Sequence, residues 1–202
     1  MVLVLAGGEG RRMGGKKPER KVAGQRLIDL AIERASGWSQ DAVAVAGDVP
    51  GSLPSSVRCI PDRAGLSGPL AGLAAGLDDA AAQGFSRLLL MPVDTPFLPA
   101  DLPARLGEAL DLHGETACAM AASGGRRHPV CSLWRVAEAL AHLSAHLATG
   151  DRSLHGFADA VGTVTVEWPS NGEPDPFFNI NHPSDLALAE RMWALSRETR
   201  EG

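Results

Sequence analysis

Residues 2–15 read VLVLAGGEGRRMGG, an apolar stretch that runs directly into a glycine-rich, basic loop. The unbroken apolar run from Val2 to Ala6 predicts a parallel strand covered on both faces, and Gly7 and Gly8 end it. In open parallel sheets, ligands bind where the strands end. Because glycine has no Cβ, the backbone amides of this loop can approach an anion closely. The opening therefore predicts an α/β fold with a phosphate-binding loop after its first strand.

The loop carries four positive charges within seven residues, at Arg11, Arg12, Lys16 and Lys17, and these suit a triphosphate. It matches neither of two common phosphate-binding motifs. A P-loop needs Ser or Thr after its Gly-Lys pair, where Lys17 stands here, and the dinucleotide fingerprint GxGxxG fails at Met13. A glycine-rich surface turn with solvated basic side chains is the alternative interpretation. The position directly after the first strand favours a nucleotide-phosphate site.

Strand-length apolar runs alternate with segments of helical periodicity along the rest of the chain, which predicts an α/β domain with a mostly parallel sheet. Further strands are predicted over residues 42–46, 57–60, 88–93, 117–121, 130–134 and 162–166. Helices are predicted over residues 27–35, 70–82, 100–112, 136–148 and 184–197, and a polar turn over residues 123–128. Because the sequence shows no repeat, low-complexity segment or interdomain linker, we expect residues 1–202 to form one domain.

The composition excludes several classes of protein. The 202 residues are 45% hydrophobic and 21% charged, which is typical of a globular domain with a sizeable core. The formal net charge of -5 argues against a nucleic-acid partner, because non-specific binding rests on clustered Lys and Arg. Since no apolar stretch is long enough for a membrane span or a signal peptide, we expect no membrane association. Cys59, Cys118 and Cys131 form no CxxC pair, which favours reduced thiols and a cytoplasmic protein.

Asp94 follows the apolar run LLLMPV at residues 88–93 and precedes Thr95 and Pro96. A carboxylate at the carboxyl end of a buried strand is a hard oxygen ligand, which suits Mg²⁺ bound jointly by protein and substrate phosphates. An Asp before Pro is also a common helix cap. The residue alone does not decide between these interpretations.

Asn179 and Asn181 lie in residues 177–186, FFNINHPSDL, and share one face if that segment is extended. Their carboxamides could bind a substrate, complete the surroundings of a metal, or cap the last helix.

Two turns give weaker signals. Residues 67–73 read SGPLAGL, in which Gly68 and Gly72 open a helix whose backbone amides could cradle a ligand or simply allow close packing. Residues 124–130 read GGRRHPV, a solvated turn in which His128 is interpreted as structural rather than as a general base.

Taken in order, the motifs LAGGEGRRMGG, SGPLAGL, VDTPFLP, RRHPVCSLW and FNINHPSDL resemble those of the molybdenum cofactor guanylyltransferase family across nearly the whole chain. The resemblance implies a Rossmann-like, three-layer α/β/α nucleotidyltransferase fold. It implies an enzyme that uses Mg²⁺ to transfer GMP from GTP to the phosphate of molybdopterin, releasing pyrophosphate. It further implies that the guanine dinucleotide cofactor passes to a molybdoenzyme or its chaperone.

Site residues are carried over by position in these motifs. Lys17 is chosen as the phosphate-binding lysine because it lies seven residues before Gly24, the usual distance in the family, although residues 18–21 are polar where the family is apolar. Asp48 is taken to replace an asparagine of the nucleotide pocket, and Asp62 matches an aspartate near the guanosine. The resemblance implies catalytic roles for Lys17, Arg12 and Asp94, nucleotide contacts for Leu5, Ala6, Gly7, Gly8, Lys17, Asp48, Asp62, Gly68 and Asp94, metal ligation by Asp94, and substrate contacts for Arg11, Asn179 and Asn181.

Three alternatives stay open. A relative that transfers CMP to the same pterin usually opens LAAG, whereas Gly7 after Ala6 favours guanine here. A sugar-1-phosphate nucleotidyltransferase is disfavoured by the length of the chain. The polar residues 18–21 also suit a non-catalytic nucleotide-binding or carrier protein.

Overall fold

The computed structural model describes residues 1–6, 17–39, 43–47, 52–169 and 175–201, with side chains as far as residue 195. The described residues form nine strands: β1 (Val2–Leu5), β2 (Lys21–Val22), β3 (Gln25–Arg26), β4 (Val43–Ala46), β5 (Arg58–Ile60), β6 (Arg87–Pro92), β7 (Cys118–Ser123), β8 (Arg126–Arg135) and β9 (Thr163–Trp168). They also form a 3-10 helix (Lys17–Glu19) and six α-helices: α1 (Leu27–Trp38), α2 (Pro69–Ala82), α3 (Leu102–Leu112), α4 (Val136–Ala148), α5 (Leu154–Ala160) and α6 (Pro183–Glu201).

Seven of these strands make one sheet in the order β5-β4-β1-β6-β8-β7-β9, and β2 pairs with β3 separately. The large sheet is parallel except at β8, which runs antiparallel to both β6 and β7. The predicted α/β fold with a mostly parallel sheet is therefore confirmed.

Both faces of the sheet are covered, which gives three layers. Successive side chains of a strand point to opposite faces, so Val2 and Val4 of β1 pack into one apolar cluster while Leu3 and Leu5 pack into the other. The first cluster includes residues of α1, α3 and α6, and the second includes residues of α2, α4 and α5. Burial on both faces explains why the strand sequences are unbroken apolar runs.

The predicted turn over residues 123–128 is wrong. Strand β7 continues to Ser123 and β8 begins at Arg126, so the turn is only Gly124 and Gly125. Their φ angles of +55° and +74° are those of a two-residue hairpin turn, which glycine adopts without strain. The pairing of β7 with β8 then shifts register beside Pro129, whose missing N–H cannot support a regular ladder.

Three elements were not predicted: the 3-10 helix, the β2–β3 hairpin and α5. The strands of the hairpin have two residues each, too few to show a periodic pattern. In its turn, Ala23 has φ of +51°, and its amide donates to Glu190 Oε1 of α6 at 2.8 Å. Helix α5 is short and begins at Ser153, whose hydroxyl accepts from the Gly156 amide at 2.9 Å. The other predicted elements are present, with bounds shifted by a few residues.

Adjacent strands end together at one edge of the sheet. The Ala6 amide donates to the Ala46 carbonyl at 2.9 Å, and the Val93 amide donates to the Leu5 carbonyl at 3.0 Å. Because β7 and β9 also run parallel to β6, Ser123 and Trp168 end at this carboxyl edge too.

Among the described residues, every helix is too short or too polar to pass through a bilayer.

Candidate functional site

Lys17, Asp94 and Asn181 meet at the carboxyl edge of the sheet. The Lys17 Nζ donates to Asp94 Oδ2 and also to Asn181 Oδ1 at 2.7 Å. Asp94 is placed by the end of β6, and Lys17 by the 3-10 helix. The lysine and aspartate side chains are only 16% and 13% exposed, so their ion pair is partly shielded from water. Asp94 and Asn181, which lie 77 and 164 positions from Lys17 in the sequence, thus form one polar cluster with it.

The two asparagines reach the cluster because the segment that carries them is hydrogen-bonded to Asp94, two residues after the end of β6. The Ile180 amide, between them, donates to the Asp94 carbonyl at 3.0 Å. The Thr95 hydroxyl donates to Asn179 Oδ1 at 2.6 Å. Asn179 and Asn181 thus both reach the site, through their bonds to Thr95 and Lys17.

Both asparagine carbonyl oxygens are already bonded. A lysine ammonium can only donate, so Asn181 must turn its Oδ1 toward Lys17 and its NH₂ away. The Oδ1 of Asn179 is likewise occupied by the Thr95 hydroxyl. Each carbonyl oxygen keeps a second lone pair, so the arrangement is compatible with both alternatives, donation to an anion by the NH₂ groups and metal ligation by the oxygens.

Asp185 caps the start of α6. The side chains of Asn179 and Asn181 were alternative candidates for that role. Its Oδ2 accepts from the backbone amides of Asn181 at 2.8 Å and His182 at 2.7 Å. Burial raises the pKa of Asp185, but these two amide hydrogen bonds outweigh it, and the pKa lies below its usual value. The carboxamides of Asn179 and Asn181 are therefore not needed to start α6.

Asp62, Leu5 and Ala46 converge on the first turns of α2. A Cβ built on Gly72 would lie 2.5 Å from Leu5 Cδ2 and 3.3 Å from both Ala46 Cβ and Asp62 Oδ1. Gly72 is thus explained by close packing, whereas Gly68 precedes α2 with φ of +70° in open space. Partial burial raises the pKa of the Asp62 carboxyl. The carboxyl group of Asp62 therefore lies at this part of the carboxyl edge of the sheet.

The two groups lie some distance apart along the sheet edge. Asp62 follows β5, and Asp94 follows β6, three strand positions away in the order β5-β4-β1-β6. At about 4.8 Å per strand, this separation is about 14 Å. An extended nucleoside phosphate can span it, with its base near Asp62 and its phosphates near Asp94.

The structure shows less about the role of the other predicted site residues. Leu5 and Ala6 are buried at the end of β1, and the Ala6 amide is used within the sheet. Lys21, a second lysine four residues after Lys17, is exposed on β2. The predicted residues Gly7, Gly8, Arg11, Arg12 and Asp48 lie outside the described residues.

Sequence reasoning missed Thr95 as a site residue. Its side chain is 3% exposed, and it contacts Asn179 and, at 3.4 Å, Asp94 Oδ1. The available signal was its position beside Asp94 at the end of a buried strand, where polar residues are candidates for a site.

Solved structures share this fold. The molybdopterin-guanine dinucleotide biosynthesis protein A of Archaeoglobus fulgidus matches with a TM-score of 0.73 at 23% identity, covering 96% of this chain and 98% of that one. The 2-C-methyl-D-erythritol 4-phosphate cytidylyltransferase of Thermus thermophilus matches with a TM-score of 0.63 at 21% identity, covering 98% of both chains. The fold is that of the nucleotidyltransferases.

Sequence comparison identifies the family. The family model described as the MobA-like NTP transferase domain matches residues 2–162. A molybdenum cofactor guanylyltransferase of Cereibacter sphaeroides is 42% identical over 192 residues, which cover 94% of this chain and 95% of that protein. The chain belongs to the family of MobA-like NTP transferases.

Proposed function

We propose that the chain transfers GMP from GTP to the phosphate of molybdopterin, with Mg²⁺ as cofactor, and makes the guanine dinucleotide form of the molybdenum cofactor. The relative in Cereibacter sphaeroides is named for the guanylyl transfer. The observation that carries the proposal is the convergence of Lys17, Asp94 and Asn181 at the carboxyl edge of a nucleotidyltransferase sheet.

The order of groups along the edge suggests where each substrate binds. The guanine base lies toward Asp62 and Gly68, and the triphosphate lies toward Lys17 and Asp94. Asn179 and Asn181 lie beside Asp94, and we expect the second substrate to approach the α-phosphate there. Their NH₂ groups, which have no hydrogen-bond partner among the described residues, suit the phosphate of molybdopterin, because an amide NH₂ donates to phosphate oxygens.

The reaction needs no protein nucleophile. An oxygen of the pterin phosphate, already ionised at neutral pH, bonds to the α-phosphorus of GTP. The bond from that phosphorus to the bridging oxygen of the β-phosphate breaks, and pyrophosphate leaves with its electron pair. The protein contributes positioning and charge neutralisation.

Lys17 is equipped for that neutralisation. An ammonium group has three donors, and Asp94 and Asn181 take two of them. Within the part of the chain that the structure describes, the third has no partner and can donate to a phosphate oxygen. A charge pair at 4 Å is worth about 4 kcal/mol at an effective dielectric near 20, so the lysine can contribute substantially to binding the transition state.

Asp94 fits a magnesium ligand of the kind that shares the ion with a substrate. Among the described residues, no three His, Cys, Asp or Glu side chains group as a self-sufficient metal site. Mg²⁺ commonly binds through one or two carboxylates together with substrate phosphates. When bound, the ion would neutralise charge on the phosphates, and Asp94 would be the residue that holds it.

The proposed partners are GTP and molybdopterin, followed by a molybdoenzyme or its chaperone as receiver of the labile product. We place the reaction in the cytoplasm. Cys59, Cys118 and Cys131 are free thiols in the structure, which suits a reducing compartment.

The test is pyrophosphate release with GTP, CTP or ATP, with and without molybdopterin and Mg²⁺. We expect turnover only with GTP, pterin and metal together, and loss of about 10²-fold or more in kcat for Asp94→Ala, because the site loses the carboxylate proposed to bind the metal. Asp111→Ala is the matched control, since that aspartate pairs with Arg87 at the start of β6, away from the carboxyl edge.

Each arm can refute a part of the proposal. Preference for CTP would identify a cytidylyl transfer instead, and absence of turnover with every nucleotide would identify a non-catalytic protein. Full turnover by Asp94→Ala would refute the metal assignment.

A further inference from the structure

Residues 175–181, which we term the asparagine segment, carry Asn179 and Asn181 to the site. One end of the segment is held by the Ile180 amide on the Asp94 carbonyl. The other end is shaped by Asp175, whose Oδ1 accepts from the Phe177 amide and whose carbonyl accepts from the Phe178 amide, both at 2.9 Å. The position of Asp175 therefore determines where the backbone of Phe177 and Phe178 lies.

Asp175 is tied to the β7–β8 hairpin through Ser123 and His128. The Ser123 hydroxyl donates to Asp175 Oδ2 at 3.0 Å and lies 2.8 Å from His128 Nε2. Because the hydroxyl has one proton and gives it to Asp175, His128 must be the donor to the Ser123 oxygen. The hydrogen bonds run in one direction, from His128 through Ser123 to Asp175.

His128 contacts the asparagine segment a second time through its ring face. The imidazole stacks on Phe177 with centroids 4.7 Å apart and planes at 13°. Trp168 of β9 also contacts Phe177, edge-on, with ring centroids 5.4 Å apart and planes at 69°. Ser123, His128 and Phe177 are all less than 8% exposed, so these contacts are shielded from water.

We propose that Ser123, His128 and Asp175 are positioning residues that hold the asparagine segment so that its two carboxamides meet the phosphate of the second substrate. The inference rests on the proposed function, and it adds residues that touch neither nucleotide nor metal. It assigns His128 a hydrogen-bonding and stacking role that acts through Asn179 and Asn181.

The test compares Ser123→Ala with a matched loss of a buried hydroxyl on the neighbouring strand. Ser132 is fully buried, donates to the Pro129 carbonyl at 2.7 Å and accepts from Trp134 Nε1 at 2.8 Å, and neither bond involves the asparagine segment. Ser132→Ala therefore controls for general loosening. Ser123→Thr restores the hydroxyl, and His128→Phe keeps the ring stack while removing the hydrogen bond.

For Ser123→Ala and His128→Phe we expect the KM for molybdopterin to rise about tenfold, the change produced by about 1.4 kcal/mol, while the KM for GTP changes less than about twofold. Ser132→Ala should leave both KM values near wild type, and Ser123→Thr should recover most of the loss. Equal changes in both KM values, or the same change in Ser132→Ala, would overturn the proposal.

A second measurement needs no substrate. Amide hydrogen exchange of residues 175–181 should be faster in Ser123→Ala than in the wild type and in Ser132→Ala, because the segment loses its anchor. Unchanged exchange would overturn the anchoring role even if the enzyme is active. Wild-type protein without guanylyl transfer would instead refute the proposed function, so the two failures are distinguishable.

Discussion

At the scale of single residues, the contacts of Lys17 distinguish it from its neighbour Lys21. Lys17 is largely buried in the polar cluster with Asp94, whereas Lys21 is exposed on β2. We expect Lys17→Ala to lower kcat/KM by about 10²- to 10³-fold, as loss of one preorganised donor to a developing charge typically does. Lys21→Ala should change it by less than about threefold. Steady-state pyrophosphate release measures both.

Lys17→Arg is an informative companion to that pair. A guanidinium keeps the charge but is planar and longer, so it cannot reproduce three contacts around one nitrogen. We expect Lys17→Arg to stay well below wild-type activity. A larger loss in Lys21→Ala than in Lys17→Ala would contradict the choice of lysine.

The sequence selects Asp94 and Lys17 as candidate site residues, because position after a strand and spacing within a motif are visible in the sequence alone. It did not show which atoms of Asn179 and Asn181 face the substrate. Those orientations depend on Thr95 and Lys17, which come from other parts of the chain. Hydrogen-bond direction is a property of the assembled site rather than of a pattern.

At the scale of elements, the fit of α2 against β1 depends on glycine. A Cβ on Gly76 would overlap the side chain of Leu3, which is fully buried. Gly76→Ala should therefore lower the free energy of unfolding by about 1–3 kcal/mol, the usual cost of overpacking. Urea titration followed by circular dichroism measures the change.

Gly37 is the control for that substitution. It lies in α1 without a positive φ, and a Cβ there would meet nothing within 4 Å. Gly37→Ala should raise the free energy of unfolding by about 0.5–1 kcal/mol, because alanine loses less backbone entropy in a helix. Destabilisation of similar size in both variants would contradict the packing argument.

Long periodic elements were predictable and short ones were not. Helix α4 has its predicted bounds, residues 136–148, because thirteen residues show a clear apolar face. The β2–β3 hairpin was missed because tertiary contact stabilises it, including the bond from Ala23 to Glu190. The turn at Gly124 and Gly125 was predicted too long because the polar residues after it belong to β8.

At the scale of the whole molecule, the pH dependence of stability has an identifiable contributor in His128. Burial lowers the pKa of its imidazole, and of the charges around it Asp175 and Glu167 raise the pKa while Arg126 lowers it. In the unfolded chain the His128 imidazole has its usual pKa near 6.5. It therefore binds a proton more readily there than in the folded chain. Stability from neutral His128 is present above that pH and is lost as the pH falls.

We expect the free energy of unfolding to fall as the pH drops below about 6.5, with at most about 1.4 kcal/mol per pH unit from this one group. His128→Phe should flatten that part of the curve, since phenylalanine does not titrate. Urea titrations between pH 5 and 8 compare the two proteins. Parallel curves for the wild type and His128→Phe would contradict the assignment.

The class of fold was predictable because alternating strands and helices restrict the architecture, but the position of each strand was not. Nothing in the sequence of β8 distinguishes it from a parallel strand, and its antiparallel insertion between β6 and β7 depends on the hairpin at Gly124 and Gly125. Strand order is decided by which edges meet in three dimensions.

The interior position of β1 in the sheet constrains how the chain assembles during synthesis. Val2 pairs with Val43 on one side and with Leu89 on the other. Until Leu89 has left the ribosome, the second side of β1 has no backbone partner, and an unpaired apolar strand is a template for aggregation. Such distant pairing also slows folding. The strand that begins the candidate site is thus exposed longest to misassembly, and a nascent chain paused before β6 is the form that most needs a chaperone.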